Sequence, residues 1–152
     1  MTLRGWRSLL TVTCLGAASA LAAAPPVSVK DVKVVEKTSS VGKSKGNKYI
    51  TVQYTATVND AVPRLMVVQV KAACKAGDKT VEAESSATGS LDKVEKGGTK
   101  PGSVPLFIME GLPASPKSCD LDFKYGKLAT RTGDAIASFC WDGSAVKDGH
   151  CK

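Results

Sequence analysis

The sequence predicts an all-β fold: one domain, an antiparallel β-sandwich of about seven short strands. Three features predict it. Apolar and polar residues alternate with a period of two in segment after segment, turn-forming residues punctuate the chain closely, and no convincing amphipathic helix occurs. Cysteine usage adds two disulfides to that expectation.

The strands follow in order. "VSVKDVKVVEK" opens the set after Pro25-Pro26. "KYITVQYTATVN" carries the clearest signal, with Ile50, Val52, Tyr54, Ala56 and Val58 facing one way and mostly threonines and Gln53 the other. "DAVPR" supplies Asp60 and Pro63 for a turn. "LMVVQVKAAC" then repeats the alternation less cleanly, with Met66, Val68, Val70, Ala72 and Cys74 on the buried side. "KTVEAESS" reads as a short exposed strand and "SVPLFIMEGL" as a strand entered through Pro101-Gly102. "SCDLDFKYG" turns Cys119, Leu121, Phe123 and Tyr125 inward and Asp120, Asp122 and Lys124 outward, and "DAIASFCW" comes last. "GKSKGN", "KAGD", "KGGTKPG" and "LPASPKS" carry turn chemistry between them. "ESSATGSLDKVEKGG" has no clear period and is expected as a long loop or a single helical turn.

Residues 1–24 have the order of parts of a secretory signal peptide. Arg4 and Arg7 come first, then a short apolar core, then small residues that place cleavage near 20–24. The apolar run falls short of the ~20 residues that a membrane span needs, so no membrane span is expected. Lipid attachment at Cys14 is the rival, but Thr11-Val12-Thr13 is a poor lead-in to a lipidated cysteine. Loss of the leader takes the formal charge from +7 to +5, because Arg4 and Arg7 go with it. Residues 25–152 then form a single β-sandwich domain, expected in the periplasm or outside the cell.

Cys74, Cys119, Cys140 and Cys151 stay in the mature chain. An even number in an exported domain is read as disulfides, with three possible pairings. Cys74 ends one strand and Cys119 begins another, each on the apolar side, so a bridge between them needs no strand to move. Cys140 and Cys151 then close the tail, whose Asp142-Gly143 and Asp148-Gly149 pairs each allow a tight turn. Trp141 is expected to cover that second bridge.

The same tail, "CWDGSAVKDGHCK", invites sharper chemistry. His150 and Cys151 are adjacent, which is awkward for joint metal coordination, so no metal and no cofactor are expected. A calcium loop beginning at Asp142 fails at Val146 and lacks a closing glutamate. His150 is the only histidine, two residues from the end, and neither a nucleophile elbow nor a metalloprotease motif nor a phosphate loop occurs. Catalysis is therefore not expected.

A basic, non-catalytic exported domain is expected to bind something. Lys43, Lys45 and Lys48 surround one predicted loop, and Lys93, Lys96 and Lys100 another. These are candidate anion-binding residues, set against the ordinary alternative of a solvated surface. Nucleic acid is not expected, since few aromatics are available to stack bases. The expected partner is an envelope or extracellular protein or an anionic glycan, met by a monomer. Two alternatives stand beside it: a structural subunit of a surface appendage that pairs edge strands, and an inhibitor of an exported hydrolase using the proline-stiffened loop "EGLPASPKSC".

The succession "YITVQYTATVND", "LMVVQVKAAC", "KPGSVPLFIMEGL" and "CDLDFKYG" resembles the immunoglobulin-like, FxLYD-type or telokin-like domains of bacterial exported proteins. The likeness spans most of the mature chain and implies architecture alone, with no site residues carried over. The chain departs from the antibody pattern, because its first bridging cysteine closes the third strand and no tryptophan lies there.

Overall fold

A computed structural model describes residues 23–85, 89–128 and 133–152. Residues 1–22 of the expected leader, with Arg4, Arg7 and Cys14, lie outside the described residues. Eight strands are found among them: β1 (Val27–Thr38), β2 (Lys48–Val58), β3 (Met66–Ala76), β4 (Lys79–Glu84), β5 (Thr99–Leu106), β6 (Pro116–Lys127), β7 (Gly133–Trp141) and β8 (Val146–Asp148). They form two antiparallel sheets, one ordered β1-β2-β5 and the other β4-β3-β6-β7-β8. The only helical piece among the described residues is a 3-10 turn, Gly42–Ser44.

The alternation in the sequence becomes the core. Ile50, Val52, Tyr54, Ala56 and Val58 of β2 face Val68, Val70, Ala72 and Cys74 of β3 and Cys119, Leu121, Phe123 and Tyr125 of β6, all buried. A strand exposes one side to water and one to its opposite layer, so a period of two in polarity fixes which residues pack.

Three details differ from expectation, and a fourth stretch takes one of its two expected forms. The described residues form eight strands instead of about seven, because Val146–Asp148 in the tail pairs with Phe139–Trp141 as β8. Strand β5 starts at Thr99, so Pro101-Gly102 lies within it, and it ends at Leu106 because Phe107 adopts a left-handed φ of 66°. Pro101 is tolerated there because β5 is an edge strand, whose outward side needs no N–H. On β3, Val67 and Gln69 are buried as well as the inner face, since the chain beyond β4 continues along it through a Val67–Ser90 bridge. The aperiodic stretch after β4 forms no α-helix among its described residues, and buries Leu91.

Both expected disulfides are formed. Cys74 and Cys119 are direct cross-strand partners on the inner side of β3 and β6, both fully buried. Cys140 and Cys151 join the outer side of β7 to the returning tail. Trp141 alternates with Cys140 and so faces the core, directly across from Cys119. It flanks the inner bridge, not the tail bridge expected of it. Among the described residues no helix is long and apolar enough to cross a membrane.

Candidate binding surface

Two regions gather side chains with chemistry to offer. The first is the tail. After β8 the chain folds back over β7 toward β6, where outward-facing carboxylates wait. The Cys151 N–H donates to Asp120 Oδ1 at 2.6 Å, His150 Nε2 meets Asp122 Oδ1 at 2.7 Å, and Ser138 Oγ donates to the same oxygen at 2.7 Å. Asp142 is occupied by its own turn, accepting from the Ser144 and Ala145 N–H groups, the Ser144 hydroxyl and Lys147. Those bonds hold its carboxyl far below the usual carboxylate range, the Lys147 ammonium most of all. Among the described residues no group of three or more His, Cys, Asp or Glu is placed to hold a metal ion.

The His150–Asp122 contact leaves a titration signature. The hydrogen bond from His150 to Asp122, and then the carboxylate's charge, raise the histidine above its ordinary 6.5. Burial pushes the Asp122 carboxyl up, but the bonds from His150 and Ser138 outweigh it and hold it below 3.8. A histidine raised on folding stabilises fully below its unfolded value, and that contribution is lost as pH rises through the folded value. A carboxylate lowered on folding stabilises above its unfolded value and loses that as pH falls through the folded one. The contact's contribution is therefore full between the unfolded carboxylate value of 3.8 and the unfolded histidine value of 6.5, and fades outward through the two folded midpoints. Because His150 is the only histidine, its ring protons can be followed by NMR. The expected midpoint lies above 6.5 in the native protein and returns toward it in Asp122→Asn; an unchanged midpoint in that variant would dismiss the contact.

The second region is one end of the sandwich. There the β1–β2 loop, residues 39–47, meets the β5–β6 loop, residues 107–115. The first loop is stapled from within: Ser39 Oγ and Ser44 Oγ lie 2.8 Å apart, both serines are buried, and Ser44 Oγ donates to the Val41 carbonyl at 3.1 Å. Asn47 then clamps the second loop, donating from Nδ2 to the Met109 carbonyl at 2.9 Å and the Ile108 carbonyl at 3.3 Å. The Gly111 N–H donates to the Phe107 carbonyl at 2.8 Å, and the Leu112 N–H to that of Lys48 at 2.8 Å. A second brace runs from Lys48 Nζ to Ser115 Oγ at 2.9 Å, and from Ser115 Oγ to Glu36 Oε1 at 2.8 Å.

The clamp has a consequence. Phe107 is buried despite its left-handed backbone, which for a bulky residue is strained and must be held by its surroundings. That turn throws Met109 outward, leaving it 62% exposed, while Val41 on the adjoining loop is 69% exposed. Two apolar side chains stand in water on loops that are fixed from beneath.

The candidate lysines do not form one surface. Lys43, Lys45 and Lys48 lie at this end. Lys93, Lys96 and Lys100 lie at the other, since β5 begins opposite the end of β2, Thr99 pairing with Thr57. Between the nearest two, Lys48 and the Ala56 that pairs with Lys100 stand eight positions apart on β2, roughly 26 Å at strand rise. Several are already engaged: Lys48 with Glu36 and Ser115, Lys96 with Asp60, and Lys100 with the Ser90 carbonyl. Lys43 and Lys45 remain exposed beside Val41.

Sequence reasoning missed Val41, Asn47 and Met109 as a group. The signal for Met109 was present, an apolar "FIME" run ending against Gly111. Nothing local announces the bond from Asn47 across 62 positions. No family model, no curated protein and no solved structure matches this chain.

Proposed function

We propose that this chain is an exported, non-catalytic binding module of the periplasm or extracellular space, folded as an immunoglobulin-like sandwich and working as a monomer. It engages an envelope or extracellular protein through the end built by loops 39–47 and 107–115. The observation that carries this reading is Met109, held in solvent by a backbone clamp whose own residues are buried or bonded. Ordering an apolar contact before the partner arrives lowers the entropic cost of binding.

Further support comes from strand order. The second and fifth strands pair in one layer and the third and sixth in the other, as in immunoglobulin-like sandwiches. A non-catalytic role is supported by the tail, where the carboxylate of Asp122 sits between Ser138 and His150. A hydrolytic triad needs the histidine in the middle, within reach of the nucleophile. The two disulfides fit an oxidising compartment.

The appendage-subunit alternative finds little support in the edges. Strand β1 carries a bulge between Lys30 and Lys33 and packs along β7 and β8, and β8 has three residues. On β5, Pro101 and Pro105 share one side of the ladder, removing two of the outward N–H groups that a donated strand would use. Lys43 and Lys45 give the same end an affinity for anionic groups, so an anionic glycan remains the second class of partner.

The test compares capture from a native envelope fraction by wild-type protein and by two variants. Met109→Ser is expected to lose about tenfold in affinity, the weight of one exposed anchor at an interface. Lys93→Gln, Lys96→Gln and Lys100→Gln combined, at the far end, are expected to bind as wild type. Equal capture by all three, at equal melting temperature, would remove this end as the binding surface.

A further inference from the structure

We infer that the partner presents an extended strand of alternating apolar and basic residues, which adds to the free edge of β4 and lies in the groove beneath Met109. This deepens the reading above and rests on it.

The groove runs between the two sheets on their open side, with a volume of about 570 Å³. Val81 to Glu84 of β4 form one wall, and Pro105 to Gly111, including Met109, form the other. The clamped loop thus borders both the end of the sandwich and this cleft. Among the described residues strand β4 pairs only with β3 and ends its sheet. The Ser85 N–H donates to the Val70 carbonyl, so backbone groups at odd positions of β4 turn toward β3. By alternation, Thr80, Glu82 and Glu84 present their N–H and C=O groups to the open edge.

Side-chain direction sets the chemistry of what fits. Val81 packs opposite Cys74 and Ala83 opposite Ala72, both on the inner face. An added strand would place every second residue beside Val81, Ala83 and Met109, where apolar side chains suit. Its intervening residues would lie beside Glu82 and Glu84 on the outer face. Glu110 lines the groove as a third carboxylate. Against these stands Lys71, which pairs with Glu82 at 2.9 Å and pairs in register with Glu84. Lys75, in register with Thr80, and Lys79 lie toward the Gly77–Asp78 turn, outside the groove lining. The groove is an acidic stretch on a chain of net positive charge, complementary to lysine or arginine.

The same glutamates act against self-pairing. An antiparallel partner copy centred on Glu82 would set Glu82 against Glu82, and like charges directly opposite disfavour pairing. Charge here disfavours a second copy and favours a basic strand, so one feature gives both protection and selectivity.

The probe is a fluorescein-labelled peptide alternating lysine and valine over seven residues, with capped ends, beside a counterpart in which glutamate replaces lysine. By anisotropy the lysine peptide is expected to bind at least tenfold more tightly than the glutamate peptide. Amide exchange should slow at Thr80, Glu82 and Glu84 on binding. The double variant Glu82→Lys, Glu84→Lys should reverse the preference, and Met109→Ser should weaken both peptides. Equal affinity for the two peptides, or protection elsewhere, would overturn the inference. Protection of the same amides by rising protein concentration alone would also overturn it, in favour of a second copy. If peptide binding fails while capture from the envelope fraction still depends on Met109, the binding end stands and the strand chemistry falls. If both fail, the binding end falls too.

Discussion

Replacing Cys74 and Cys119 together by alanine is expected to lower the free energy of unfolding by about 4–5 kcal/mol. The bridge spans a sequence separation of 45, and closing a loop of that length restricts the unfolded chain by roughly 4 kcal/mol. Both sulfurs are fully buried, so their loss also removes packing between β3 and β6 and beside Trp141. The tail bridge is the internal control. Its separation is 11, for which the same relation gives roughly 3 kcal/mol at most. Cys140→Ala with Cys151→Ala also leaves the tail on a partly exposed surface, where less packing is lost. Urea unfolding should therefore rank the inner double variant well below the outer one. Its slope should rise as well, since an uncrosslinked denatured chain exposes more surface. Equal losses for the two variants would show that the inner bridge does not organise the fold.

How far the sequence discloses this molecule depends on the range of the interactions involved. Alternation is a local property, and it places Ile50 through Val58 and Cys119 through Tyr125 on the correct faces. The cysteine pairing follows from the same local fact, because a residue's face and its place in the strand limit what it can reach. Trp141 shows where proximity misleads. It is the chain neighbour of Cys140, yet a strand sends successive side chains to opposite faces, so it meets Cys119 instead. Strand β8 was hidden for another reason. Three residues are too few for a period to declare itself, and Val146–Asp148 becomes a strand only because β7 offers an edge. The binding end is least legible. Its geometry depends on Asn47 reaching Met109 and Ser115 reaching Glu36, contacts set by sheet packing and announced by no spacing. The six lysines illustrate the converse, since two clusters of equal standing in the sequence fall at opposite ends of one strand.

Phe123→Ala is expected to cost about 3–5 kcal/mol, the range for truncating a fully buried aromatic. Phe123 is completely buried on β6 and meets Tyr54 of the opposing sheet edge-on, ring centres 5.2 Å apart and planes at 76°. On its other side it meets Phe139 of β7 at 5.6 Å and 88°. The three rings thus tie both layers together, and edge-to-face contacts add to the area buried. Tyr54 has little freedom to fill a vacated space, because its ring lies against Gly102, where a Cβ would come within 2.2 Å of Cζ. Burial of that ring also raises the phenol to about 12, so its hydroxyl stays neutral at any working pH. With the neighbour pinned, the cavity left by Phe123→Ala stays open, and the loss should fall in the upper half of the range. Phe139 is only partly buried, and its replacement by alanine should cost about half as much. Phe123→Leu keeps most of the volume and should recover most of the stability. A loss under ~1.5 kcal/mol for Phe123→Ala would mean that the two sheets are not packed through this contact. The arrangement of loops at the binding end would then lack the rigid base that its exposed methionine requires.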